Sequence, residues 1–347
     1  MSAFRSKPRL VNLLDDFALG GVSRGLGIFS SQPVRDVADC STMAVRPDAV
    51  IAPALNADII VLHFPPNWRR LAFLLSLRAR NPRARIVHVE HSYTRAWEAR
   101  NVEHKGRFRL MLRLALRLVD QVVCVSCGQA DWLREVTRLA WHKVDVIYPY
   151  SENPGLDALA YPDFAADRPL VIGAYGRFHE AKGLENLIGA HRAGALPGTQ
   201  LLIGGFGALE GDLRRLAGNS PLIEFVGKID NVAGFLEECD VIAVPSRWEA
   251  YGQVACEARE AGRPILVSPV DGLPEQVGAA GLVIDFTNPD AISRAFAKLD
   301  GPRLAEMARA ARRSTQDCGL DRQREWARLI RRLAPYQAVP VRVLAPA

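Results

Sequence analysis

Two stretches of the chain carry residue types whose spacing suits chemistry. The first is Val171-Ile-Gly-Ala-Tyr-Gly-Arg-Phe-His-Glu-Ala-Lys-Gly183. An apolar strand pattern ends there, two glycines let the backbone turn, and Arg177 and Lys182 flank a helix expected to begin near Gly183. Cations beside unpaired helix N–H groups form an anion site, and phosphate is the usual guest. The pattern G-x-x-x-x-G-K-[ST] is missing, so the segment is not a P-loop. The second stretch is Pro245-Ser-Arg-Trp-Glu-Ala-Tyr-Gly-Gln-Val-Ala-Cys-Glu-Ala258. Its spacing places Glu249 in a strand-to-helix loop, at the carboxyl end of a sheet, where open α/β sheets bind ligands. Glu257 follows about two helical turns later, at ~1.5 Å per residue. Carboxylates accept hydrogen bonds from vicinal hydroxyls, so the pair suits an elongated ligand with two polyol parts, as in a nucleotide sugar. Gly252 leaves room for backbone amides to approach a diphosphate.

These residues need a scaffold that brings strand ends together. Short apolar runs alternate with helical patterns along the whole chain. Strands are expected at Leu10–Leu14, Ile59–His63, Ile86–Glu90, Gln121–Ser126 and Val144–Ile147, then at Leu170–Ala174, Gln200–Gly204, Ile223–Val226, Val241–Pro245, Ile265–Ser268 and Leu282–Asp285. Several are unbroken apolar runs, as expected of parallel strands covered by helices on both faces. The recurring strand–helix–strand order gives the class α/β with parallel sheets. Tyr148-Pro-Tyr-Ser-Glu-Asn-Pro-Gly155 reads as a linker, which divides the chain into residues 1–155 and 156–347. A last amphipathic helix, about 320–334, ends before Pro335 and should cross back to the first domain.

Composition narrows the class further. The chain has 347 residues, 49% hydrophobic and 24% charged, enough for two domains with real cores. No uncharged apolar run reaches the length of a membrane span, and the N-terminal apolar stretch meets Asp15 and Asp16 too soon for a secretion signal. Six scattered cysteines fit a reducing cytoplasm, the expected location. Charge is uneven. Residues 1–150 hold 22 Lys+Arg against 13 Asp+Glu, whereas the remainder is slightly acidic. A basic front half suits an anionic partner. Lys105, Arg109, Arg113 and Arg117 recur at spacing four among leucines, giving one basic stripe on a helix. Such a helix can lie on the anionic inner membrane, or can pack on the first domain with a solvated face. No nucleic-acid recognition motif accompanies it. His88-Val-Glu-His91 and Cys124-Val-Ser-Cys127 have metal-like spacing but lack further ligands, so no metal is expected.

From Leu170 to about Phe286 the sequence resembles the C-terminal half of a family 4 glycosyltransferase. That family is retaining and has the GT-B architecture, two Rossmann-like domains facing across a cleft. The residues that carry the resemblance are Gly176-Arg177, Lys182-Gly183, Gly204-Gly-Phe-Gly207, Phe225-Val-Gly227, Ala243-Val-Pro-Ser246, Glu249, Glu257-Ala258, Gly262-Arg-Pro264 and Gly272-Leu-Pro-Glu275. In the first half, Gly20-Gly21 resembles the family's glycine loop and His91 its cleft histidine.

The resemblance implies a role for each matched position. Arg177 and Lys182 would hold the donor diphosphate, with Gly176 at the turn. Glu257 would bind the ribose and Glu249 the transferred sugar. Tyr251, Gly252 and Gln253 would lie at phosphates and sugar, Lys228 and Ile229 beside the base, and His91 and Gly21 across the cleft. Arg177, Lys182, Glu249 and His91 are the catalytic candidates, acting by position and charge. Glu-Ala-Tyr-Gly-Gln replaces the family's usual Glu-Gly-Phe-Gly-Leu, and Glu-Ala-Arg-Glu its usual Glu-Ala-Met-Ala. The implied activity is hexose transfer from a UDP- or GDP-linked donor to a glycan or lipid-linked hydroxyl, in exopolysaccharide or cell-envelope assembly. No cofactor beyond the nucleotide-sugar co-substrate is implied. The alternatives are an inactive sugar-nucleotide-binding partner subunit and another GT-B chemistry such as sucrose-type synthesis.

Overall fold

The computed structural model describes residues 7–15, 25–149, 153–165 and 167–334. It contains two six-stranded sheets, and every strand pair in both is parallel. The first sheet is built from β1 (Arg9–Leu14), β2 (Asp39–Ala44), β3 (Ile59–Leu62), β4 (Arg85–Glu90), β5 (Gln121–Cys124) and β6 (Val144–Val146), in the order β2-β1-β3-β4-β5-β6. The second comprises β7 (Leu170–Arg177), β8 (Thr199–Phe206), β9 (Ile223–Gly227), β10 (Val241–Val244), β11 (Ile265–Val267) and β12 (Gly281–Val283), in the order β12-β11-β10-β7-β8-β9. In each sheet the order reverses beside the first strand, which opens a crevice at the strand ends. Two parallel six-stranded sheets are the two-domain architecture that the resemblance implied.

The expected strands form, with two informative differences. β2 was not expected. Its sequence Asp-Cys-Ser-Thr-Met-Ala has no apolar run, because it lies at a sheet edge with most side chains exposed. β7 and β8 run past their expected ends. Gly176 and Arg177 therefore pair in register with Gly205 and Phe206 instead of forming a free turn. A Cβ at Gly205 would stand 1.9 Å from the Gly176 carbonyl oxygen, so a side chain there would drive these strand ends apart.

Helices cover both faces of each sheet. In the first, Leu13, Ile60, Leu62, Phe73, Leu112 and Trp132 fill one side. The other side is closed partly by the last helix, Cys318–Leu333. Its Trp326 meets Phe29 edge-on with ring centroids 4.8 Å apart, and Arg322 donates to the Pro149 carbonyl at 2.6 Å. The helix thus returns from the second sheet to the first.

Helix Lys105–Arg117 uses two of its four regularly spaced cations internally. Arg109 grips the buried Glu98 carboxylate with two bonds of 2.6 and 3.0 Å, and Trp132 donates to the same carboxylate. Arg113 donates to the Val136 carbonyl. Lys105, Arg107, Leu110, Leu114 and Arg117 remain exposed. Among the described residues no helix is long and apolar enough to cross a membrane.

Candidate active site

The strand ends of the two sheets face each other across a cleft of about 600 Å³. Gly176, Arg177, Lys182, Lys228, Ile229, Glu249, Tyr251, Gly252, Gln253 and Glu257 line it from the second sheet, and His91 lines it from the first. The structure therefore gathers the expected positions at one place. Gly21 lies outside the described residues.

Arg177 ends β7, exposed in the cleft, and has no counter-ion among the described residues. Lys182 closes a short 3-10 turn, Glu180–Lys182, and its ammonium pairs with Glu249. Gly183 then turns the chain at φ +58 into helix Leu184–Arg192. Glu249 also accepts from the Ser246 hydroxyl at 3.4 Å. Cation and carboxylate thus occupy one spot.

Helix Gln253–Glu260 begins at the cleft, with Gly252 as its N-cap at φ +96. A Cβ at Gly252 would lie 2.4 Å from Leu273, so only glycine brings this helix start so close to the neighbouring loop. The Tyr251 side chain faces sideways. Its hydroxyl accepts from Arg322 at 2.8 Å, and its ring packs against Tyr148. Glu257, 4% exposed, accepts from the Tyr175 hydroxyl at 2.6 Å and from the Asn153 amide at 3.2 Å. Both carboxylate oxygens are thus oriented before any ligand arrives. Lys228 is exposed and pairs with Asp230. Phe206, 56% exposed, adds an apolar wall that the sequence reading did not single out.

Two loop acids join the halves. Asp271, a non-glycine residue at φ +45, accepts from the Thr94 hydroxyl at 2.7 Å, the Ala96 amide at 3.0 Å and the Glu249 amide at 3.1 Å. Burial raises its pKa, against the pull of those donors. Glu275 accepts from the Cys127 amide and from the Tyr148 hydroxyl, each at 2.9 Å. A Cβ at Gly128 would come 2.5 Å from the Asp271 carbonyl, so the loop and helix Cys127–Thr137 are in close contact. The sequence places this loop only at a sheet rim, because its partners in the first half lie 127–177 residues away along the chain.

On the first-sheet side, His91 follows β4 and His63 follows β3. Their ring nitrogens approach to 3.3 Å, and His63 meets Asn12 at 3.0 Å. His88 instead bonds Glu90, which also accepts from the Ser92 and Tyr93 amides. Burial lowers the His91 pKa to about 4 and that of His63 well below its ordinary value. Both rings are neutral near pH 7.

Two family models match the chain. One, described as Glycosyltransferase Family 4, covers residues 42–150, and the other, Glycosyl transferases group 1, covers 169–300. Together they cover β3–β6 of the first sheet, all of the second, and more than half of the sequence. The chain belongs to glycosyltransferase family 4. This family 4 member is 32% identical over 220 residues to a glycogen synthase of Mycobacterium tuberculosis, covering 58% of this chain and 51% of that protein. It is 35% identical over 161 residues to a GDP-mannose-dependent monoacylated alpha-(1-6)-phosphatidylinositol monomannoside mannosyltransferase of Corynebacterium glutamicum, covering 42% of each. The chain thus spans about half the length of these relatives. Its backbone matches Anabaena Alr3699/HepE, solved in complex with UDP and glucose, with a TM-score of 0.70 at 17% identity, over 92% of this chain and 97% of that one.

The two neutral histidines give this family 4 member a pH dependence of known sign. Unfolded, each binds a proton near pH 6.5, whereas the folded His91 resists until about pH 4. The unfolded chain therefore holds more protons between those values, and their contribution to stability, complete above pH 6.5, is lost as pH falls toward 4. Tm should fall through that window, and His91→Gln should flatten the profile. An equally steep profile in His91→Gln would remove this assignment.

Proposed function

We propose that this chain moves a hexose from a nucleoside diphosphate sugar, UDP- or GDP-linked, to a hydroxyl of a glycan or lipid-linked acceptor. The observation that carries the reading is the presence of two cations, Arg177 and the Glu249-paired Lys182, in one cleft with the pre-oriented Glu257 carboxylate. The cations suit a pyrophosphate and the two acids suit the hydroxyls of the rings at its ends. HepE, the structural neighbour, was solved with UDP and glucose, and the corynebacterial relative is named for GDP-mannose and a phosphatidylinositol glycoside. These names support the donor class and a lipid-linked acceptor.

Transfer requires the diphosphate to leave with its negative charge stabilised. A cation ~4 Å from a departing phosphoryl oxygen gains about 4 kcal/mol of Coulomb energy at an effective dielectric of ~20, as a ceiling. The part of this that grows as the bond breaks lowers the barrier. Lys182, released from Glu249 by the incoming phosphates, is placed for that task, and Glu249 is then free to orient sugar hydroxyls. The reaction retains configuration if the acceptor enters on the face that the diphosphate vacates. The departing phosphate then takes the acceptor proton, so neither a protein nucleophile nor a metal is called on. Glu249 and His91 act by position and charge.

Acceptor delivery from a lipid surface fits the exposed face of helix Lys105–Arg117. Lys105, Arg107 and Arg117 border Leu110 and Leu114, with the Arg107 guanidinium over the half-exposed Trp68 ring. Basic and apolar residues on one face suit anionic lipid headgroups. We place the enzyme on the cytoplasmic side of the membrane, in glycan or envelope assembly.

In a thermal-shift panel of UDP, GDP, ADP and their sugar conjugates, at least one nucleotide should raise Tm, since it binds only the folded state. With that donor, Lys182→Ala should lower turnover about 100-fold or more while donor affinity changes only a few-fold. A silent panel, or near-normal turnover of Lys182→Ala, would overturn the reading. The chain should also sediment with vesicles containing anionic lipid at low salt and leave them at high salt, and Arg107→Glu/Arg117→Glu should weaken the attachment. Failure to bind at low salt would remove the membrane.

A further inference from the structure

The buried polar groups of the first sheet form a line whose hydrogen-bond direction can be worked out from one end. It starts at β2, where the Ser41 carbonyl accepts from the Asn12 side-chain amide at 3.3 Å. A carbonyl oxygen can only accept, so the Asn12 atom facing it is nitrogen, and the Asn12 oxygen faces His63. That oxygen, 3.0 Å from His63 Nε2, needs a proton on Nε2. Neutral His63 then has a bare Nδ1, which lies 3.3 Å from His91 Nε2 and must receive a proton from it. The imidazole centroids are 5.6 Å apart with planes 23° from parallel, consistent with an edge-to-edge bond between nearly coplanar rings. His91 is left with its proton on Nε2 and a bare Nδ1. No described residue bonds that nitrogen, and His91 lines the cleft.

We infer that Asn12 and His63 are positioning residues that fix the tautomer of His91, so that His91 meets the substrate as a hydrogen-bond acceptor and selects a hydroxyl at that point of the cleft. The inference rests on the proposed function for the identity of the cleft's ligand, but not for the direction of the line. Each group sits where the fold requires. Asn12 is on β1, 1% exposed, and Ser41 is on its neighbour β2. His63 follows β3, its amide bonded to the Leu13 carbonyl, and His91 follows β4. The line thus runs across four adjacent strands, from the sheet edge to the cleft. Phe29 covers the His63 ring edge-on at 6.0 Å and is itself covered by Trp326. Burial keeps the line neutral, and a neutral line has only one consistent set of proton positions. The same arrangement disfavours an oxyanion at His91, because a bare Nδ1 offers it no donor. Phosphates are thereby left to Arg177 and Lys182 on the opposite wall.

The test is a long-range 1H–15N spectrum of the full chain labelled at histidine nitrogens, at pH 7.5, with His63→Gln and His91→Gln to assign the rings. His63 and His91 should both be neutral and protonated at Nε2. His63→Leu should lose the single tautomer of His91, whereas His63→Gln, which offers an acceptor to His91 and a donor to Asn12, should restore it. Turnover of the donor found by thermal shift should fall about tenfold in His63→Leu with KM changed less than about threefold, and His63→Gln should recover most of that loss. A wild-type His91 carrying its proton on Nδ1 would overturn the inference, even if the variants failed to fold. So would a His91 tautomer unchanged in His63→Leu. A thermal-shift panel in which no nucleotide binds would instead defeat the proposed function and leave the spectrum to decide the tautomer.

Discussion

Positive charge at the end of β7 is the constraint around which the second sheet is arranged. Arg177 has no counter-ion among the described residues, and Lys182 meets only Glu249 at the cleft wall. Lys182 already has an anion in Glu249, so the uncompensated charge is that of Arg177, and the sheet holds both side chains at the cleft. It does so with backbone. Gly205 lets β8 run against β7 as far as Arg177, and Gly183 turns the chain tightly behind Lys182. The result is a site in which no described side chain balances the Arg177 charge.

Among the described residues the opposite wall is neutral. His63 and His91 are kept uncharged by burial, and the carboxylate of Glu90 is taken up by His88 and two backbone amides. The cleft therefore has a charged side and an uncharged hydrogen-bonding side. A nucleoside diphosphate sugar has the same division, with anionic phosphates next to a neutral polyol. Asp271 and Glu275 hold the sides in contact. Because Asp271 takes the amide of Glu249 and groups at Thr94 and Ala96 together, movement of one half reaches a site residue directly.

Much of this was legible in the sequence, for physical reasons that differ by element. Buried parallel strands such as Ile59–Leu62 and Val241–Val244 read as unbroken apolar runs, and Gly252 marks the turn into helix Gln253–Glu260. Arg177, Lys182, Glu249 and Glu257 were legible because they lie within one or two turns of such strands. The rest depends on contacts between distant parts of the chain. β2 pairs along an exposed edge and has no hydrophobic signal. Asn12 and His63 read as an ordinary strand residue and a strand end, and only the lateral order of four strands brings them to His91. Arg109 reads in the sequence as part of a basic surface stripe, whereas its guanidinium closes on the buried Glu98.

The central claim is that this cleft grips two linked phosphates through Arg177 and Lys182. Calorimetric titration of UDP, GDP and ADP, each beside its monophosphate, tests that claim most directly. At least one diphosphate should bind about tenfold or more tightly than its monophosphate, and Arg177→Ala should close most of that gap. Equal affinities for mono- and diphosphate, or a gap that survives in Arg177→Ala, would contradict it.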